Sequence, residues 1–413
     1  MILVFVMCVV VLGCVIFIKK DFGVNSMNTF LGCFMLSFSF ALCGGNLPSY
    51  LEGIDMHGSL LTVFVWVWLG WLYMVGELNS NQYGIFVMLG LGVFIILLSD
   101  SWLALYLGLE LVGLSVVLML GSSKVLLRNV EAMVKYFVVS SVSSGIFLLG
   151  VLMIYWNTGS LSLSYTVFTY VNGFCIGGLG LDLIRVSLLI KLGSWPFYNW
   201  YLDVLTGVNN RQGLLLTTIA KLGTLYLLMV LGWVNWLYIV LVCGALVSLL
   251  GLLSELRVGR FIGYSGLVSD VLLLFSLSLS VDRMTLYLYL ITYFFNIWLV
   301  WRLTYNSYIS TGYVSGLGRS ISLWSLGGLP PLLGFYVKWW LLASLLCEAA
   351  YWVVFVVLFS GIWLVILYSG WVALGNEQSK GVRALLCLWS NTSFESWVLM
   401  VVLLPTIIVG NVL

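Results

Sequence analysis

Apolar runs long enough to cross a lipid bilayer follow one another along the chain, and the short connections between them gather most of the charge. A spanning helix needs about 20 apolar residues, and in lipid only helices or closed barrels satisfy their own backbone groups. Barrel strands alternate at period two, and no such alternation is sustained here. With 62% hydrophobic and 8% charged residues and a mean hydropathy of +1.14, the 413-residue chain lacks the polar surface a soluble domain needs. The expectation is an all-α polytopic membrane protein.

Other chemistry finds little footing. A net charge of +2 without a basic cluster gives nucleic acid nothing to bind. The eight cysteines are scattered through apolar runs with no CxxC or Cys/His spacing, so they read as small apolar residues rather than metal or cluster ligands. The single histidine, His57 in "IDMHGS", falls in a connection. "GGLGLDL" (177–183) has neither the spacing nor the preceding strand of a dinucleotide fingerprint. The opening "MILVFVMCVVVLGCVIFIKK" carries its lysines last, which marks a first membrane helix rather than a cleaved leader.

Cutting at charge clusters and turn residues gives about fourteen spans of membrane length. They are 1–18, 28–45, 58–76, 83–99, 101–120, 131–155, 172–203, 211–231, 233–252, 261–280, 284–304, 320–346, 350–374 and 395–412. The seventh and twelfth are too long for one crossing and hold breakers: Gly193 and Pro196 in "KLGSWPFYNW", and Gly327, Gly328, Pro330 and Pro331 in "WSLGGLPPLLGFYVKWW". Interrupted helices at matching places in successive halves point to an ion pathway. Lys19, Lys20, Lys124, Arg128, Arg211, Arg257, Arg260, Arg302, Arg319, Lys380 and Arg383 lie in connections after odd-numbered spans. Arg283 alone follows an even one, beside Glu52, Asp55, Asp100, Asp282 and Glu348. This asymmetry places the odd connections on the cytoplasmic or matrix side and both termini on the other.

A charge at mid-bilayer costs a few kcal/mol or more, so each one retained needs a partner, water or a function. Glu110 lies about nine residues into "LYLGLELVGLSVVLML" and Lys221 about ten into its span, which at ~1.5 Å per residue puts both near the midplane. Lys191 directly precedes one break, and Lys338 follows the other. None of these four has an opposite charge within one turn of its own helix, and Asp270 in "YSGLVSDVLLL" shares that isolation. Glu131 and Lys135 at i,i+4, and Asp182 and Arg185 at i,i+3, are spaced for local ion pairs. Burial favours a neutral lysine and a nearby carboxylate favours the charged one. A row of alternating carboxylates and lysines can therefore hold and pass protons.

These motifs, in this order, resemble the antiporter-like membrane subunits of respiratory complex I, and among them the subunit 2 type. "LYLGLELVGLSVVLML" is similar to the fifth-helix signature of that family. "EAMVKYFVVSSVSSGIFLLGVLMIYWNTGSL" is similar to the next, "KLGSWPFYNWYLDVLTG" to the broken seventh helix, and "AKLGTLYLL" to the eighth. "RFIGYSGLVSD" resembles the start of helix ten and "LGGLPPLLGFYVKWW" the twelfth-helix break. The resemblance implies a single transmembrane domain with inverted repeats: helices 1–4 within 1–100, a first repeat over 101–252, a second over 261–374, and a C-terminal helix in 395–413. It further implies proton translocation through Glu110 and Lys191 as an entry pair, Lys221 as central relay and Lys338 toward the outlet, with Lys135 auxiliary or structural. The chain itself would bind no cofactor. NADH, FMN, iron–sulfur clusters and ubiquinone would belong to the rest of the complex. Partners would be a subunit 4-type neighbour, small membrane subunits and lipids such as cardiolipin.

Lysine at 338 separates the subunit 2 type from the subunit 4 type, which typically carries glutamate there. Two departures stand out: the family shows histidine where this chain has Tyr198, and again near Ser269. Asp270, one residue along, is expected to carry the proton in place of the second. The short connections and low charge favour a mitochondrial inner-membrane protein over a bacterial inner-membrane one. The competing readings are a subunit 4-type chain, a subunit of a multi-subunit cation/proton antiporter, and an inert scaffold, which would gain nothing from four mid-bilayer charges.

Overall fold

The computed structural model describes residues 83–122, 127–163, 177–232, 234–255, 257–278, 283–306, 313–330, 332–347 and 351–379, with a few helical positions between 62 and 69. The expected spans 1–18, 28–45 and 395–412, most of 58–76, and His57 lie outside the described residues. Within them the chain forms α1 (Tyr83–Leu98), α2 (Trp102–Gly121), α3 (Leu127–Thr158), α4 (Gly177–Leu192), α5 (Asn199–Gly207), α6 (Asn210–Thr217) and α7 (Ile219–Val230). There follow α8 (Asn235–Ser254), α9 (Val258–Ser278), α10 (Arg283–Asn306), α11 (Tyr313–Gly327), α12 (Leu333–Cys347) and α13 (Tyr351–Ser379). Six of the described helical stretches are long and apolar enough to cross a membrane: Trp102–Gly121, Arg128–Thr158, Asn210–Val230, Trp236–Ser254, Val258–Ser276 and Val353–Gly370. Arg128, Arg211, Arg260, Arg283, Arg302 and Arg319, which the sequence places in connections, fall inside helices. Helices here run past charged positions, so charge marks the end of a span only loosely.

Apolar side chains fill the interior and also cover much of the outside, where a water-soluble fold would place polar ones. Leu107, Leu149 and Phe355 are 57%, 58% and 65% exposed, whereas Ser143, Thr217 and Ser276 are fully buried. Those three hydroxyls each donate to the carbonyl three residues back, at 2.7, 2.9 and 2.7 Å. Small hydroxyl residues of this kind satisfy themselves locally and leave apolar side chains to face lipid or neighbouring subunits.

Two compact units divide the described residues. The first takes in α1–α4 and Gly207–Leu231. Here α3 meets α4 at paired glycines: a methyl group at Gly150 would lie 2.8 Å from the Gly180 carbonyl oxygen, and one at Gly180 2.9 Å from that of Gly150. Gly92 of α1 and Gly108 of α2 form a second such pair, at 3.2 and 3.1 Å. Backbones approach this closely only where small residues allow it, which is how helices associate in lipid without a hydrophobic driving force. Ser101 caps α2, accepting from the Ala104 amide, and the Trp102 amide donates to the Leu161 carbonyl past the end of α3 at 3.0 Å.

The expected span 211–231 holds an interruption that the sequence reading missed. Thr218 separates α6 from α7 at φ −114° and ψ −86°, and the Thr217 and Thr218 hydroxyls both donate to the Leu214 carbonyl, at 2.9 and 2.7 Å. Side-chain hydroxyls that compete for a helix carbonyl bend the helix without proline or glycine.

The second unit comprises residues 193–206, which include most of α5, and the described residues from Gly232 onward. Gly259 of α9 lets α5 in closely, since a methyl group there would lie 2.7 Å from the Leu205 carbonyl oxygen. Arg260 then fixes the contact, donating to Asp203 at 2.9 Å and to Glu255 at 3.0 Å. α11 ends at Gly327 and turns through Gly328, whose φ of +87° suits a residue without Cβ. Gly334, near the start of α12, packs against the Ser325 carbonyl too closely for any side chain.

Candidate functional site

The first unit brings Glu110 and Lys191 together. Glu110 stands midway along α2, and Lys191 lies in the last turn of α4, where free carbonyls and the helix dipole favour a cation. Lys191 Nζ lies 3.6 Å from Glu110 Oε1; the lysine side chain is 10% exposed and the glutamate 32%. Tyr106 and Tyr136 both stand within electrostatic reach of Glu110. Neither was singled out from the sequence. Their only signals were i−4 spacing for Tyr106 and a place directly after Lys135 for Tyr136.

Lys221 lies in the first turn of α7, just beyond the Thr218 interruption, and is 4% exposed. Its helix packs on α1, α2 and α4, so it rests on the two helices that carry Glu110 and Lys191. Lys135 instead pairs with Glu131 at 2.7 Å on an outer face of α3, the two side chains being 38% and 64% exposed. Arg185 is buried and donates to Asp182 at 2.8 Å and to the Leu231 carbonyl at 2.9 Å, which ties α4 to the end of α7. That is a structural role.

The second unit contains Lys338 and Asp270. Lys338 Nζ donates to the Leu326 carbonyl and, at 3.0 Å, to that of Gly327. An amine on α12 thus caps the C-terminus of α11 across the break, and its stem passes over Gly328, where a Cβ would touch it at 3.0 Å. Around the same amine lies a cavity of about 20 Å³, which exceeds the ~10–15 Å³ one water requires. Four helices besides α12 line it, contributing Ser265 and Ser269 from α9, Tyr289, Thr292 and Asn296 from α10, Ser325 from α11 and Tyr368 from α13. Ser325 donates to Asn296 at 2.8 Å. Asp270 is 1% exposed and stands beside this lining on α9. Tyr198 packs on Tyr264 with ring centroids 6.2 Å apart. Among the described residues, no group of three or more His, Cys, Asp or Glu is placed to hold a metal ion.

Comparison with known proteins follows the same lines. A family model described as NADH:quinone oxidoreductase/Mrp antiporter, TM, matches residues 99–311. NADH-ubiquinone oxidoreductase chain 2 of Patiria pectinifera is 34% identical over 261 residues, covering 60% of this chain and 70% of its own. The chain 2 of Metridium senile is 29% identical over 284 residues, covering 62% and 73%. NADH-quinone oxidoreductase subunit N of Alkalilimnicola ehrlichii is 28% identical over 302 residues, covering 65% and 62%. In fold, the chain is similar to a chain of respiratory complex I from Thermus thermophilus, at a TM-score of 0.73 and 19% identity, covering 98% of this chain and 95% of that one. A chain of the archaeal membrane-bound sulfane sulfur reductase superposes at 0.77 with 17% identity, covering 94% and 89%.

Proposed function

Because the chain belongs to the NADH:quinone oxidoreductase/Mrp antiporter family of membrane subunits, we propose that it moves protons through a buried Glu/Lys chain while electrons pass from NADH to quinone in other subunits. The observation that carries this is the Glu110–Lys191 pair, held at 3.6 Å at the C-terminal end of α4. A carboxylate that approaches or leaves such a lysine changes the lysine's hold on its proton. Lys221 receives protons from that pair and passes them on, and Lys338 with its hydroxyl-lined cavity serves the exit. Asp270 assists there as the titratable group of helix α9, and Lys135 supports the fold. The repeats 101–252 and 261–374 are the units that carry the two breaks.

On this reading the chain itself carries no redox group. NADH, FMN, iron–sulfur clusters and ubiquinone are bound by its partners in the complex. Glu110 shares an exposed face of α2 with Leu107 and Leu114, 57% and 51% exposed; on this reading that is the face a neighbouring membrane subunit covers. The membrane is the mitochondrial inner membrane, with both termini on the intermembrane-space side.

Within the same family, the second reading is a sodium-coupled antiporter that works without NADH. Relatives of the chain 2 and subunit N type favour the first. Purification from the native membrane separates the two. The chain is expected to copurify with flavin- and iron–sulfur-containing subunits and with NADH-driven quinone reduction, whereas isolation with other multi-spanning subunits alone overturns the assignment.

A further inference from the structure

α10 turns Tyr289, Thr292, Tyr293 and Asn296 toward the cavity that holds Lys338, an i, i+3, i+4, i+7 face of hydroxyl and amide groups. Tyr289 is 4% exposed and stacks on Tyr293, the ring planes 5° apart and the centroids 6.5 Å apart. It also stands within electrostatic reach of Asp270 and of Tyr368. Asp270 does not line the cavity. Tyr289 thus lines the space around the Lys338 amine together with Ser269, the residue before Asp270, and lies within electrostatic reach of that carboxylate.

Resting on the proton-translocation reading above, we infer that Tyr289 is a further proton-transfer residue, joining Lys338 to Asp270. The Lys338 ammonium gives a proton to the phenol oxygen of Tyr289, directly or through a water in the cavity. As that O–H bond forms, the phenol's original O–H bond breaks and its proton passes to the Asp270 carboxylate. Tyr289 is neutral before and after, Lys338 ends as the amine and Asp270 as the carboxylic acid. A phenol suits this task because it donates and accepts at one atom and needs no charged state of its own. Phenylalanine would fill the same space and stack on Tyr293 but could not pass the proton.

The test uses the assembled complex in sealed vesicles, with proton uptake and NADH-driven quinone reduction followed together. Tyr289→Phe is expected to lower proton translocation by about a hundredfold or more, the scale of losing a positioned proton-transfer group, with quinone reduction in the presence of an uncoupler retained. The double variant Tyr289→Phe, Asp270→Asn should be no worse than Asp270→Asn alone, since both act on one route. Tyr289→His, which keeps a donor and an acceptor, should recover part of the translocation. Unchanged translocation in Tyr289→Phe, or losses that multiply in the double variant, overturns the inference. Lys338→Ala is run alongside: if it also pumps normally, the proton-translocation reading itself fails, whereas a dead Lys338→Ala beside a normal Tyr289→Phe removes only Tyr289. Should Tyr289→Phe not assemble, Tyr289→His decides, because a variant that assembles yet pumps no better than Asp270→Asn overturns the relay.

Discussion

Glu110→Gln is expected to cut proton translocation by about tenfold or more while leaving the complex assembled and able to reduce quinone in the presence of an uncoupler. Glutamine keeps the volume and hydrogen-bonding reach of glutamate but removes the charge 3.6 Å from Lys191. A carboxylate beside a buried lysine favours the charged lysine, and that influence is lost in the glutamine variant. Lys191 would then stay in one state throughout the cycle and have nothing to respond to. Glu110→Asp retains the charge on a shorter stem and should pump partially. Parallel measurement of proton uptake and NADH oxidation in sealed vesicles checks both, and full pumping by Glu110→Gln would remove the pair from the mechanism.

Lys338→Ala carries the second large effect, and it is twofold. On the proposed route Lys338 carries the proton in the second unit, so translocation should stop. It also strips the donor from the Leu326 and Gly327 carbonyls at the end of α11. A part-buried acceptor left without a donor costs about 1 kcal/mol, so the stretch between α11 and α12 should become more accessible to limited proteolysis. Lys338→Arg separates the two roles. Arginine can still donate to the helix end, but it does not release its proton in proteins. It should restore protection from protease and leave translocation as low as in the alanine variant. An arginine variant that pumps would show that Lys338 acts only as a structural cap.

Charge isolation made much of the site legible. Glu110, Lys191, Lys221 and Lys338 stand out in sequence because each interrupts an apolar run without an opposite charge one turn away. Glycine and proline marked the chain near 193–196 and 327–331, where the described helices end and restart. The Thr218 interruption carried no such marker. Two threonines in an apolar helix usually bond back harmlessly, and only the backbone angles show that this pair parts α6 from α7. Partners across helices were equally hidden. Nothing in the order of residues says that Tyr136 comes within reach of Glu110, that Lys338 caps α11, or that Arg260 joins Asp203 to Glu255. Such contacts depend on how helices pack, and close packing here runs through glycines, such as the Gly150–Gly180 pair, that look like any others in a glycine-rich chain.

The most direct test of the central claim is a density map of the assembled complex in lipid, sharp enough to place water between Glu110, Lys191 and Lys221 within the first unit. The account predicts ordered water linking these three side chains through the hydrocarbon depth, with further water against Lys338. Continuous apolar packing between Lys191 and Lys221, with no water and no polar group to bridge them, would contradict it.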